Sequence, residues 1–230
     1  MIANFVIIFK HALKRCLTQP VNVLVVLVLP LALIFIPGPD TDYPFGLYLY
    51  GLLGLFSAFL LCKPLVEERI NKVSVRILAT PIDNTVYLGS HLLAYIVILA
   101  LQITMFLVGI YLRWMDLGIN CFWVGTIYLA YNMMAIAFCL FWNSLFKAYN
   151  LAFGVFSGVA SFMGLVSGIS MNLSAIPEEI RRYAIVLPTC WLPNGLQSLY
   201  NGDIKNVLVS LAVLLLYAGL FLMISGRRRY

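Results

Sequence analysis

The sequence predicts an all-α protein embedded in a membrane, and three observations carry that expectation. Of its 230 residues 63% are hydrophobic and only 10% charged, where soluble domains carry about 25% charged residues. The apolar residues fall into charge-free runs of roughly 17 to 25 positions, each long enough as a helix to cross a hydrocarbon core of about 30 Å. The charges collect in the breaks between runs, above all in the stretch Val66 to Asn84, VEERINKVSVRILATPIDN.

The runs, at about 21–37, 45–62, 86–112, 120–142, 150–171 and 206–225, are expected to be six spans of a single transmembrane domain occupying residues 1–230. No small-residue cleavage site follows the first run, so an uncleaved span is expected there in place of a signal peptide. Ahead of it, residues 1–19 place Ile2, Phe5, Val6, Phe9, Leu13, Cys16 and Leu17 on one helical face, with Lys10, His11, Lys14 and Arg15 on the other. Such a helix lies in the membrane interface with its basic face toward anionic headgroups, or else extends the first span. Pro20 then turns the chain into that span.

The first outer loop, PGPDTDYP, is short and acidic. After the second run, Val66, Ile70, Val73 and Ile77 recur at helical spacing, beside a basic stripe of Arg69, Lys72 and Arg76. Glu67 and Glu68 suit the positive end of that helix, and Glu68 precedes Lys72 by four residues, the supporting order. Thr80-Pro81 ends the segment. An amphipathic helix over about 64–79 is expected between the second and third spans, with a solvated loop or a helix lying on the membrane as alternatives.

In the third span His91, Tyr95, Gln102 and Gly109 fall near one face. His91 is the one residue within any expected span, tyrosine and cysteine apart, that can ionise, so it is a candidate pathway residue. A hydrogen-bonded histidine near the membrane interface is the alternative. Asn132 in the fourth span reads as a pathway ligand or as a bond between helices. The fifth carries Gly154, Gly158, Gly164 and Gly168 at small-xxx-small spacing, which permits close helix contact within one subunit or between two. Before the sixth, Pro177 can open a short helix and Pro188 end it. A second helix would follow Pro193, beyond Trp191. Each arm is about 15 Å long, half a bilayer, so residues of about 174–202 read as a re-entrant or interfacial pair of half-helices.

With the N-terminus inside, the inner segments hold eleven lysines and arginines and the outer ones four, Arg113, Arg181, Arg182 and Lys205, which places both termini in the cytoplasm. The five cysteines, Cys16, Cys62, Cys121, Cys139 and Cys190, form no C-x-x-C pair and suggest neither a metal site nor a disulfide framework. A Cys121–Cys190 bond on the outer face stays open. No aspartate or glutamate lies within an expected span, and there are two histidines in all. That weighs against a membrane enzyme and against ion-coupled transport together. The phosphate-binding sequence G-x-x-x-x-G-K-[ST] is absent, so uphill transport would draw its energy from another chain.

Taken in order, the amphipathic first helix, Q-P-V-N before the first span, E-E-R-x-N-K-V-S-V-R-I-L-A-T-P-I between spans two and three, and P-x-x-W-x-P-N-G-L before span six resemble the permease subunits of ABC-2 type exporters over essentially the whole chain. The resemblance implies a six-span permease of a small bacterial exporter, resident in the plasma membrane with membrane lipids around it. It would pair with an identical or paralogous permease above two ABC ATPase subunits, which bind ATP and Mg while this chain binds no cofactor and no nucleic acid. It makes residues 1–19 a connecting helix and residues 64–79 the coupling helix. Glu67, Glu68, Arg69, Lys72 and Arg76 would then touch the ATPase, flanked by Lys10, Lys14 and Arg15. Spans one, two and five would line a pathway for an amphipathic peptide or antimicrobial compound, or for lipid-like or drug-like molecules. The chain departs from the family at its E-x-x-x-G-T pattern, which reads ERINKVS from Glu68 to Ser74. An ATP-independent channel or scaffold subunit is the rival of another class. Cysteine introduced by Ile180→Cys is expected to react with a membrane-impermeant maleimide from outside the cell; reaction from the cytoplasmic side alone would overturn the six-span topology.

Overall fold

The computed structural model describes residues 2–37, 44–70, 84–114, 118–170 and 177–227, and among them every regular element is helical. Helix α1 (Ile2–Thr18) buries Ala12 and Cys16 and leaves Lys10, His11 and Lys14 exposed beside Val6, Ile7 and Leu17. Then come α2 (Pro20–Val23), a π-helical turn (Leu24–Val28) and α3 (Leu29–Leu33). The long helices are α4 (Phe45–Ile70), α5 (Asn84–Arg113), α6 (Cys121–Asn143), α7 (Tyr149–Val166) and α10 (Ile204–Arg227), with the short α8 (Glu178–Ala184) and α9 (Trp191–Tyr200) between the last two.

Five of these, over Phe45–Glu68, Gly89–Arg113, Cys121–Asn143, Tyr149–Val166 and Ile204–Ser225, are long and apolar enough to cross a membrane. The expected first span is not one of them, because its helix is interrupted. Pro30 has no N–H to donate, and its ring would strike the carbonyl of Val26, four residues back. The chain widens here, with the Leu29 N–H bonding the Leu24 carbonyl five residues back, the insertion that marks a π turn. The apolar helix that remains, Leu24–Leu33, is short.

The break expected after residue 62 is missing. Helix α4 runs through Pro64 for 26 residues, about 39 Å at 1.5 Å per residue and so longer than the hydrocarbon core. A single proline removes one donor without undoing the ladder on either side. Val66–Ile70 is thus the charged end of the second apolar helix and not the start of a separate one; residues 71–83 lie outside the described residues.

Helix α6 forms the middle of the bundle, packed on α4, α5 and α10 with most of its residues buried. Aromatic rings fill the joints. Tyr50 on α4 stacks on Phe106 of α5 with centroids 4.8 Å apart and meets Tyr128 of α6 at 4.4 Å. Phe59 meets Phe156 of α7 at 4.3 Å, and Phe138 meets Phe221 of α10 at 5.2 Å. The Phe59 and Phe138 pairs, with Lys63 over the Tyr149 ring, gather the ends of α4, α6 and α10 and the first half of α7 at one side, called here the charged end, while the Tyr50 contacts lie toward the opposite end.

The tightest helix approaches occur at glycines outside the fifth apolar run. A Cβ on Gly46 would stand 2.0 Å from the Leu33 carbonyl oxygen, one on Gly109 2.1 Å from Ile34, and one on Gly51 2.3 Å from Leu192. A Cβ on Gly154 or Gly158 would meet nothing within 4 Å among the described residues, so they do not make the close contact expected within one subunit. Helix α7 turns Ala152, Phe156, Ala160 and Met163 inward instead. Gly164 does pack, on Leu52 and Ser170. Gly168, at φ +80°, ends α7 earlier than the expected residue 171: the residue after the helix is left-handed, and the Ser167 and Ile169 N–H groups bond back to Met163 and Gly164.

Pro177 caps the start of α8 just ahead of its first turn, and that helix ends at Ala184, short of Pro188, which opens the following 3-10 turn instead of ending the helix. The second short helix starts earlier than expected, at Trp191 after a 3-10 turn over Pro188–Cys190. Pro193 fits inside its first turn, where an N–H has no intrahelical partner in any case. Gly46→Ala is expected to destabilise the chain by about 1–3 kcal/mol through overpacking against backbone, and Gly154→Ala not at all. Thermal unfolding of the detergent-solubilised variants checks both.

Candidate functional site

At the charged end, three elements distant in sequence meet around one carboxylate. Arg15 of α1 donates from Nη1 to Glu68 Oε1, and the Tyr87 hydroxyl donates to Glu68 Oε2. Both carboxylate oxygens are thus engaged from different helices. Glu68 keeps 14% of its side chain exposed and Arg15 33%, so the pair is largely withdrawn from water while remaining reachable from it. A carboxylate so placed requires partners, because an unpaired charge in low dielectric is unstable.

Its neighbour Glu67 points elsewhere. It pairs with Lys63 at 3.7 Å within α4, and both side chains are 37% exposed. Two adjacent glutamates that look alike in sequence therefore differ in place: one joins helices, the other borders the surface. Lys10 and Lys14 are exposed on α1. The side chain of Arg69, together with Lys72 and Arg76, lies outside the described residues.

One turn beyond Tyr87, His91 is buried and its Nδ1 lies 3.0 Å from the Tyr87 carbonyl. A carbonyl only accepts, so Nδ1 carries the proton and the imidazole closes onto its own helix. Its ring sits 4.5 Å from that of Tyr87 and 6.2 Å from that of Tyr95. The other two polar residues of the expected spans are also interior. Gln102 Nε2 donates to Ser57 Oγ at 3.2 Å, and Asn132 Nδ2 to the Tyr50 hydroxyl at 3.3 Å, each tying α4 to a neighbour. His91, Gln102 and Asn132 are thus buried in the bundle's own core.

The opposite end is held by neutral bonds. Tyr48 donates to Gln197 Oε1 at 3.2 Å, and Tyr217 to the Val186 carbonyl at 2.7 Å. Trp191 Nε1 donates to the Ile185 carbonyl at 3.1 Å and so ties α8 to α9. Pro188 is buried at the turn between them. The Cys121 and Cys190 thiols are both free; Cys190 lies against the Ser167 carbonyl and Cys121 against that of Ile119. Among the described residues no group of three or more histidine, cysteine or acidic side chains could hold a metal ion.

A chain of five long apolar helices, one interrupted apolar segment and an amphipathic first helix narrows the choice of families. The profile described as ABC-2 family transporter protein matches residues 20–227. The chain belongs to that family. A search of curated proteins finds no match. Membership makes the chain a multi-pass membrane component of a transport system, and as an ABC-2 permease it implies association with ABC ATPase partners.

The Arg15–Glu68–Tyr87 contact was not legible beforehand. Helical spacing offers Glu68 only Lys72, four residues on, and nothing local distinguishes Arg15 from Lys10 or Lys14 as its partner. What separates Arg15 is its place on α1, next to the buried edge formed by Ala12 and Cys16. Burial pushes the Cys16 thiol up to about 11, against a small opposing effect of the Arg15 charge. The thiolate is the reactive form, and near pH 8 only about one molecule in a thousand carries it. Alkylation of Cys16, followed by peptide mass mapping, is therefore expected to keep rising through pH 10, where an ordinary thiol has levelled off.

Proposed function

We propose that the chain is the non-catalytic permease subunit of an ATP-driven exporter. It pairs with a second permease, identical or paralogous, and two ATPase subunits bind ATP and Mg beneath the charged end. The observation that carries this reading is the family match over residues 20–227 on a chain whose α4 and α5 both outrun the membrane at one end. These two helices are the stems of the 71–83 segment, the place where an outside motor has chain to hold. A bacterial plasma membrane, with that end and both termini in the cytoplasm, follows the charge distribution.

Six crossings fit the contacts better than five. Arg15, just before the interrupted segment, bonds the charged end of α4. Leu33 and Ile34, at its other end, lie on Gly46 at the start of α4 and on Gly109 near the end of α5, and Trp114 Nε1 donates to the Ile34 carbonyl at 3.0 Å. Residues 20–34 therefore pass along the length of α4, and count as the first span despite the π turn.

An amphipathic substrate suits the surfaces left open. Gln102 and Asn132 are buried and donate to partners inside the subunit. The exposed faces of α7 and α10 present Leu151, Val155 and Phe162, and Leu208, Leu215 and Leu216. A pathway between two permeases bounded by α7 is apolar, with little in it to select a polar solute. Amphipathic peptides, including antimicrobial ones, are the expected cargo, and lipid-like or drug-like molecules the next class.

A tagged chain expressed in its native host is expected to bring down an ATP-binding cassette ATPase. Reversing the charges of Glu67, Lys72 and Arg76 together is expected to weaken that capture. In proteoliposomes the complex is expected to hydrolyse ATP faster when a cationic amphipathic peptide is added. A chain that captures no ATPase and moves solute without ATP would instead be a channel or scaffold, and the exporter reading would fail.

A further inference from the structure

We infer that Glu68 is a mechanical node, not an ATPase contact: with Arg15 and Tyr87 it clamps α1 and both stems of the 71–83 segment into one moving unit. This rests on the exporter reading above. Glu68 lies two residues before the end of α4, and Tyr87 lies in the first turn of α5. Thirteen residues, 71–83, leave one helix and return to the other, so one carboxylate pins the segment where it begins and where it returns. Arg15 adds the third body, the helix that leads into the first span.

The position of the side chain argues for this role over docking. A docking glutamate should present its carboxylate outward, as Glu67 does with 37% of its side chain exposed, whereas Glu68 has 14% exposed and both oxygens occupied from within the subunit. The apolar surroundings strengthen the clamp. Ala12 and Cys16 on α1 and Cys62 and Val66 on α4 are buried alongside, and an ion pair screened from water is harder to exchange than an exposed one. Tyr87 is in turn set by His91, whose Nδ1–H bonds the Tyr87 carbonyl. Among the described residues the Arg15–Glu68 pair is the one ion pair that joins different helices.

Without the clamp, a push on the segment bends the stems against each other and dissipates there. With it, α1, α4 and α5 shift together, and the first span is dragged through α1. Glu68 and Arg15 are positioning residues in this sense, since they act through the spans and touch neither nucleotide nor substrate.

The test uses the full chain with its captured ATPase in proteoliposomes, comparing Glu68→Gln, Arg15→Gln, Tyr87→Phe and the exchange R15E/E68R. Three quantities are read: the ATPase retained, ATP hydrolysis, and transport of a labelled amphipathic peptide per ATP hydrolysed. Glu68→Gln and Arg15→Gln are expected to retain the ATPase and its hydrolysis while transport per ATP falls about tenfold, which converts to about 1.4 kcal/mol of coupling. Tyr87→Phe is expected to fall less, and the exchange variant to recover part of the loss, which a chain that merely misfolds would not do. Two results overturn the inference: transport per ATP unchanged in both glutamine variants, or loss of the ATPase in Glu68→Gln alone with Arg15→Gln normal, which would make Glu68 a docking residue. If the unaltered chain captures no ATPase, the exporter reading falls first and this inference with it.

Discussion

Every backbone N–H and C=O placed in hydrocarbon must find its partner within the protein, since lipid offers none. That constraint explains the helices, and it explains where the chain is allowed to depart from them. The departure at Leu24–Val28 is a π turn, in which hydrogen bonds are re-registered and not lost. It is forced by Pro30, and Pro30 is buried, so the irregular turn is supported by protein on at least one side. The second departure, the turn between α8 and α9, is satisfied in the same economical way. Leu187 N–H bonds Ala184, Cys190 N–H bonds Leu187, and the Trp191 indole reaches back to Ile185.

Given helices, their mutual positions follow from a few polar and aromatic contacts inside an otherwise uniform apolar core. Leucine packed on leucine gives little reason to prefer one register over another in a lipid environment, because lipid is as apolar as the side chains. The Tyr128 hydroxyl on the Leu47 carbonyl, Gln102 on Ser57 and Asn132 on Tyr50 do give one. Each crosses from α4 to α5 or α6, and a slip of one residue would bury an unpaired amide or hydroxyl. The small residue at Gly54 belongs to the same arrangement, since a Cβ there would stand 2.7 Å from Asn132 Oδ1.

How much of this was legible in the sequence differs by the kind of physics involved. The long apolar helices were, because bilayer thickness sets their length directly. The joining of the second span to its charged end was not: Pro64 looks like a stop, and only the packing around it shows that the helix continues. Gly154 and Gly158 follow a spacing that permits close contact, but spacing does not say whether a partner is present, and among the described residues none stands within 4 Å of where a Cβ would be. Glu67 and Glu68 are adjacent and chemically identical. Their different roles come from a rotation of about 100° around α4, fixed by tertiary contacts that no local pattern contains.

The distribution of bond types along the bundle bears on how such a subunit would move. At the charged end the contacts between elements include an ion pair and a hydroxyl–carboxylate bond, half-shielded from water. At the opposite end they are neutral bonds from tyrosine and tryptophan to amide and carbonyl groups, each worth about 1 kcal/mol net. These three bonds are exposed or half-buried, and breaking one leaves no charge unpaired. A charged contact differs, because moving either partner leaves a charge unpaired. With Glu68 as the node inferred above, a displacement applied at the charged end would meet a stiff unit of α1, α4 and α5 and be relieved where no charge is at stake, around α8 and α9. On the proposed reading, that is the side on which an exporter must open, and the subunit is stiff where it is driven and yielding where it releases.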